Sequence, residues 1–138
     1  MLSEMKILNK TEFREMDEIL RSYVENYNLE NLIVKISYMR KGAKSPYSGI
    51  CYYKKNKIRV SINKNNKYPI KIKVGSPFNT ASWEYYYLNS PEEVILFVFL
   101  HEISHYLDYI NGLAMGCKET KADKFALWMM NKLREKEI

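Results

Sequence analysis

The chain has 138 residues, of which 46% are apolar and 28% are charged. This length suits one domain, because a single hydrophobic core of that size buries enough apolar surface to offset the entropy lost on folding. The composition excludes a collagen-like or low-complexity chain, and no apolar run approaches the roughly 20 residues of a membrane-spanning helix. We therefore expect one globular domain over residues 1–138 with no membrane partner.

The N-terminal segment MLSEMKILNK lacks the apolar stretch that forms the centre of a signal peptide. Two cysteines, Cys51 and Cys117, are too few for a disulfide framework and fit no paired-thiol metal motif. We therefore expect a cytoplasmic protein with reduced thiols.

The net charge of +6 is unevenly distributed. Residues 31–83 contain 12 Lys or Arg and no acidic residue, whereas all 16 acidic residues lie elsewhere. Such a region can meet an anionic partner such as nucleic acid. Tyrosines that could stack on bases lie within it, namely Tyr38, Tyr47, Tyr52, Tyr53 and Tyr68. Alternatively, the lysines only keep the outer faces of strands in water, and both interpretations stay open.

The first two thirds of the chain show two apolar periodicities. Over residues 11–27 apolar side chains recur every three or four positions, which predicts an amphipathic helix. Three segments with period two then predict strands. Their alternating apolar residues are Val34, Ile36 and Tyr38, then Ile58, Val60 and Ile62, then Ile70, Ile72 and Val74. Short links leave no room for a crossover helix, so we expect one mostly antiparallel sheet of three to four strands that ends at Gly75.

Two further helices are predicted after the sheet. Ser90 is a suitable N-cap, Pro91 suits the first helical position, and an acid follows at the third. Residues 94–100 are apolar on every side, which is typical of a central, buried helix. Gly112 suits the end of this helix, and a last helix is expected over residues 118–135. The sequence therefore predicts an α+β fold.

Both histidines lie in the motif His101-Glu102-Ile103-Ser104-His105. Histidines four residues apart share one face of a helix, so both imidazoles can bind a single metal ion. Glu102 could then deprotonate a water molecule on that metal as general base. The motif therefore points to zinc-dependent hydrolysis.

A catalytic zinc ion needs a third protein ligand, and Glu119 is the strongest candidate because its helix can fold back against the histidines. Asp123, one turn later, is placed to accept the outer ring proton of a ligating histidine. Asp108 and Cys117 are competing ligands, but the first has a short side chain and a cysteine is often a small buried apolar residue. Glu119 and Asp123 could instead belong to a solvated helix face.

The segment HEISH followed by ETKADKFA resembles the glutamate-type zincins, in which HExxH precedes a Glu-x-x-x-Asp segment. The small size is similar to the minimal metallopeptidase domains of the ImmA/IrrE-like and SprT-like kinds. The resemblance covers about residues 50–130, and the ImmA/IrrE-like pattern is closer because SprT-like proteins supply a third histidine. It implies a zincin-like domain that hydrolyses peptide bonds with one Zn²⁺.

Carried over residue by residue, the resemblance implies that His101, His105 and Glu119 bind zinc, that Glu102 is the general base, and that Asp123 supports a ligand. It also implies that the strand before the active helix pairs with the substrate backbone. That role would fall in residues 57–63, to Ile58, Arg59, Val60 and Ser61. Candidates for stabilising the transition state are Tyr106, Tyr109, Arg59 and residues 85–87.

Two rival functions are weighed against the peptidase. The first is a nucleic-acid-associated protease, or a plain binding module, that uses the basic region 31–83. The second is a structural zinc domain without turnover. The sequence names neither the substrate nor the cleavage specificity.

Overall fold

A computed structural model describes residues 5–75, 83–112 and 119–136. Within these ranges the chain forms six strands, three α-helices and one 3₁₀ turn, so the α+β prediction is confirmed. In chain order the elements are β1 (Lys6–Asn9), α1 (Met16–Tyr23), β2 (Ile33–Tyr38), β3 (Tyr47–Tyr52), the 3₁₀ turn (Tyr53–Lys55), β4 (Lys57–Ile62), β5 (Ile70–Gly75), β6 (Trp83–Leu88), α2 (Pro91–Ile110) and α3 (Glu119–Lys136).

Four of the strands form a mixed sheet in the order β1-β2-β4-β3. The pairs β1–β2 and β2–β4 are parallel, and only β3–β4 is antiparallel. The prediction of a mostly antiparallel sheet is therefore wrong. The physical reason is that α1 is a crossover helix between β1 and β2, and that β4 turns back from β3 to lie beside β2.

The strands β5 and β6 form a separate antiparallel pair. The expectation that residues 70–75 belong to the same sheet as the earlier strands, and that the strands end at Gly75, is wrong. The sequence WEYYYL of β6 does not alternate apolar and polar residues, so its periodicity did not indicate a strand.

The helix expected over residues 11–27 is shorter in the structure and begins at Met16. The side chains before it bind backbone groups in tight turns instead. The Asn9 side-chain oxygen accepts from the Thr11 amide at 2.9 Å, and the Thr11 hydroxyl accepts from the Phe13 amide at 3.2 Å. Such local bonds compete with helix formation, which explains the late start.

The central helix α2 agrees with its prediction at both ends. The Ser90 hydroxyl accepts a hydrogen bond from the Glu93 amide at 3.2 Å, and Pro91 opens the helix. The chain leaves the helix at Asn111 and Gly112, which has a φ of +73° that favours glycine. Every side chain of residues 94–100 is buried, because the helix packs against β3, β4, α1 and α3.

The last helix, α3, lies against α2, and its small side chains Ala122 and Ala126 are fully buried. Small residues at these positions allow two helices to approach closely. The approach brings the first turn of α3 beside the histidines of α2. Among the described residues, no helix combines the length and the apolar character that crossing a membrane requires.

Candidate metal centre

The two histidines lie in the C-terminal half of α2, immediately after its buried segment 94–100. His105 is buried and His101 is half-buried, and their ring centroids are 5.0 Å apart. The packing of residues 94–100 fixes the rotation of the helix about its own axis, so both imidazoles face the same side. That side is the one on which α3 begins.

Glu119, the first residue of α3, contacts both imidazoles through its two carboxylate oxygens. Its Oε2 lies 2.8 Å from Nε2 of His101, and its Oε1 lies 3.0 Å from Nε2 of His105. One donor atom from each of the three residues lies within 4.8 Å of the others, close enough for one metal ion. The Glu119 side chain is 72% exposed, so the cluster opens to solvent.

Asp123 lies one turn further along α3 and holds the other nitrogen of His101. Its Oδ1 lies 2.7 Å from Nδ1 of His101. Burial alone would lower the pKa of His101, but the hydrogen bond to Asp123 and the charges of Glu102 and Glu119 outweigh burial and raise it. Asp123 thereby orients the ring so that Nε2 points at Glu119.

Glu102 is buried beside this cluster, with Oε2 3.8 Å from Nε2 of His101. Its burial raises its pKa to about 7, against the opposing charge of His101 and with a further contribution from Glu119 and Asp123. A carboxyl group that titrates near neutral pH exchanges protons readily in both directions, as a general base must.

The edge strand β3 passes Glu102 at a glycine. A Cβ atom at Gly49 would lie 2.6 Å from Oε2 of Glu102 and 2.7 Å from Cγ1 of Val98. Only a residue without a side chain lets the strand run this close to α2. Gly49 was not predicted as a site residue, although a glycine inside a strand is itself a signal of close backbone approach.

Two cavities lie along β3, one on each side of the cluster. The first measures about 300 Å³ and the second about 290 Å³. Both are lined by Gly49, Glu102 and Glu119; His101 and Asp123 line only the first, and His105 only the second. The cluster therefore sits at the middle of a groove that follows the strand.

The first cavity contains Tyr47, which the sequence suggested only as a residue that could stack on bases. Tyr47 lines it together with the carboxylates, and its ring meets that of Phe97 edge-on at 6.0 Å. Burial, with the nearby charge of Asp123, raises the pKa of Tyr47, so its hydroxyl keeps its proton and stays a donor. Its position on the same face of β3 as Gly49 follows from the strand register, which the sequence alone did not indicate.

The three residues proposed from the sequence to stabilise a transition state lie elsewhere. The Tyr106 hydroxyl donates to Asn56 at 2.7 Å, and the Tyr109 ring packs on Tyr53 at 4.9 Å. Arg59 alternates with the buried Ile58 and Val60, so it projects from the opposite face of the sheet. The assignment of Arg59 is wrong, because the register turns it away from α2. Tyr106 and Tyr109 are not among the described residues that line the two cavities, and their proposed role stays a prediction.

Of the 85–87 tyrosines, Tyr85 and Tyr87 are exposed on β6, and no cavity along β3 includes them among its described lining residues. The assignment of substrate pairing to Ile58, Arg59, Val60 and Ser61 is also wrong. These residues belong to β4, whose two edges are already paired with β2 and β3. The strand that ends the described sheet beside the cluster is β3.

Of the two competing ligands, Asp108 lies within the described residues. Asp108 is buried, its carboxylate forms a salt bridge with the Lys121 ammonium at 2.9 Å, and it is not part of the ligand cluster found among the described residues. Cys117 lies outside the described residues. Cys51 is a free thiol on β3, and burial raises its pKa to about 12, which makes it a poor thiolate ligand.

No protein-family model, curated protein or solved structure matches this chain significantly. Its chemistry is therefore inferred from its own geometry. That geometry joins two imidazoles and a carboxylate at one point, a buried carboxyl beside them and an open groove on both sides.

We predict that Gly49→Ala lowers the free energy of unfolding by about 1–3 kcal/mol, because the added methyl group collides with Val98 and Glu102 in a packed interior. Urea unfolding measures the change. The matched control repeats the substitution in a Val98→Ala background, where removal of one collision makes the loss smaller. An equal loss in both backgrounds, or none in either, contradicts the close approach.

Proposed function

We propose that this chain is a zinc-dependent metallopeptidase of the zincin type. The observation that carries the proposal is the convergence of His101, His105 and Glu119, with donor atoms within 4.8 Å of one another, next to the buried Glu102. Two imidazoles and one carboxylate form a donor set that zinc accepts in catalytic sites. The residues thus fit the metal that the motif implies.

The openness of the site favours a catalytic over a structural zinc centre. Structural zinc sites are closed by four protein ligands, whereas catalytic sites keep one position for water or substrate. Within the described residues the cluster offers three ligands, and Glu119 is largely exposed. Cavities of about 300 and 290 Å³ give access from both sides.

When bound, zinc supplies Lewis-acid chemistry that polarises a peptide carbonyl and lowers the pKa of a water molecule. Glu102 accepts the proton of the attacking water and delivers it to the leaving amine nitrogen. Burial raises the pKa of Glu102, which favours its acceptance of that proton. The net reaction is the addition of water across a peptide bond.

Two further side chains support this reaction. Asp123 accepts a hydrogen bond from Nδ1 of His101, which leaves Nε2 free to act as a ligand. Tyr47 lines the cavity beside the acids, and its protonated hydroxyl supplies a donor there for an oxyanion that develops on the substrate.

The groove along β3 indicates how a substrate would lie. β3 is the last strand of the described sheet, and its backbone groups on that edge can pair with an extended peptide. Gly49 lets such a peptide approach Glu102 without a side chain between them. Pairing of this kind reads main-chain groups, so the substrate class is an unfolded or extended protein segment.

We predict that the purified chain binds one zinc ion and that Glu119→Gln or His105→Ala weakens zinc affinity by more than about 100-fold. Loss of a side chain that only supports a ligand costs up to about 100-fold, and loss of a ligand itself should cost more. Elemental analysis and competition with a chromophoric chelator measure stoichiometry and affinity. The matched control is Glu102→Gln, which alters an acid of the same site that is not a ligand. Equal affinity in Glu119→Gln and wild type contradicts the ligand set.

We predict that Glu102→Gln retains zinc but lowers the rate of peptide hydrolysis by about 10²–10⁴-fold, the contribution of a positioned base. The zinc-loaded protein is incubated with a random-sequence peptide library, and new termini are counted by mass spectrometry. Chelator-treated wild type is the control. Cleavage that survives the substitution contradicts the role of Glu102, and no cleavage by the zinc-loaded wild type contradicts the peptidase proposal.

We predict that Tyr47→Phe lowers kcat by about 10²–10³-fold with little change in KM, because the hydroxyl acts only on charge that develops during the reaction. The phenyl ring keeps the contact with Phe97, so folding is preserved. The matched control is Tyr109→Phe, which removes a hydroxyl outside both cavities. A change in KM alone would show that Tyr47 binds substrate without stabilising the transition state.

A further inference from the structure

A third cavity lies on the face of the four-stranded sheet that points away from α2, and it has no part in the proposed reaction. It measures about 470 Å³, within the range of small-molecule sites. We refer to it as the basic cavity, because Lys35, Arg40, Lys44 and Arg59 line it. Among its described lining residues there is no carboxylate.

The floor of the basic cavity is a row of three serines. Ser61 of β4 pairs in register with Ser37 of β2 on one side and with Ser48 of β3 on the other. One pleat further along, Lys35 pairs with Arg59. Residues in register share a face of the sheet, so the serine row and this pair of cations line one surface.

The row is wider than a single phosphate group. Neighbouring strands lie about 4.8 Å apart, so the outer hydroxyls of the row are separated by about two such spacings. Serine is a small residue that creates a depression between larger neighbours, and its hydroxyl can donate to an oxyanion. The floor therefore offers donors to more than one anionic group.

The other two cations stand on a loop that is fixed above the floor. The Asn63 side-chain amide donates to the carbonyls of Ala43 and Ser45, each at 2.9 Å. These two bonds tie the loop that carries Arg40 and Lys44 to the end of β4. The rim of the cavity is thus built by specific contacts.

The four cations that line the basic cavity are only partly balanced by Glu12, which lies at one end. Tyr38 donates to Glu12 at 2.5 Å, and this bond lowers the pKa of Glu12, with a smaller contribution from the charge of Lys64. Residues 31–83 supply no acid of their own. Four cations around one concave surface repel one another, and a bound anion relieves that repulsion.

We propose that the basic cavity binds a ligand that carries two or more phosphate groups, with the serine hydroxyls and the Arg59 guanidinium as direct donors to phosphate oxygens. Guanidinium groups match phosphate oxygens in pairs, and bonds between charged partners are the strong ones. The phosphates can belong to a free small molecule or to a nucleic acid chain.

Isothermal titration of the purified full chain with inorganic phosphate, pyrophosphate and a short single-stranded oligonucleotide tests the proposal. We expect pyrophosphate to bind more tightly than phosphate at one site per chain. An oligonucleotide affinity that exceeds that of pyrophosphate and falls steeply with salt identifies a nucleic acid chain as the source. The reverse order identifies a small phosphorylated ligand.

Variants locate the binding. Arg59→Gln and Ser61→Ala are expected to weaken it by about 10-fold or more, since each removes a donor to a charged group. Lys54→Gln is the matched control, because it removes one exposed cation of the same basic region outside the cavity. His105→Ala separates this cavity from the proposed zinc site and is expected to bind pyrophosphate as wild type does.

Two results overturn the proposal. One is the absence of saturable binding for all three probes. The other is an equal loss of affinity in Arg59→Gln and Lys54→Gln, which would show diffuse attraction to net charge in place of a site. The outcome is independent of the peptidase proposal, because no step of the test measures hydrolysis.

Discussion

The close packing of α2 against β3 is the contact on which the rest of the site depends. Residues 94–100 are buried on every face of the helix, so α2 has no freedom to rotate or slide. Because Gly49 has no side chain, the backbone of β3 lies directly against Glu102. This packing sets the directions in which His101 and His105 point. The docking of α3 against α2 then brings Glu119 to both histidines.

Opposite charges gather on the two sides of β3. Glu102, Glu119 and Asp123 lie on the side of α2, and the cations of the basic cavity lie on the other side. Ser48 lines a cavity on each side. Since side chains alternate along a strand, a peptide paired with β3 would send its residues in turn toward an acidic and a basic surface.

The helices of the site could be predicted from the sequence because their signals are local. The Ser90 cap, the apolar run 94–100 and the spacing from His105 to Glu119 each act over a few turns, and the structure brings Glu119 and Asp123 to the histidines. That these residues bind a metal ion is still a prediction.

The pairing of the strands could not be predicted in the same way, because it joins residues that are distant in the sequence. Gly49 has low strand propensity, and the sequence of β3 does not alternate apolar and polar residues, so no periodic signal indicated this strand. The parallel pairing of β1 with β2 depends on the crossover that α1 makes, and that of β2 with β4 depends on where β3 turns back. Without the register, neither the outward direction of Arg59 nor the inward direction of Tyr47 could be known.

The proposed ligands belong to two helices that are separate in the chain. His101 and Glu119 are 18 residues apart, and in the fold one contact joins them. A cation bound by both would close that loop much as a disulfide does, by restricting the unfolded chain more than the folded one. The same ion would then fasten tertiary structure as well as take part in chemistry. The docking of α3 onto α2 would respond to the free concentration of that cation.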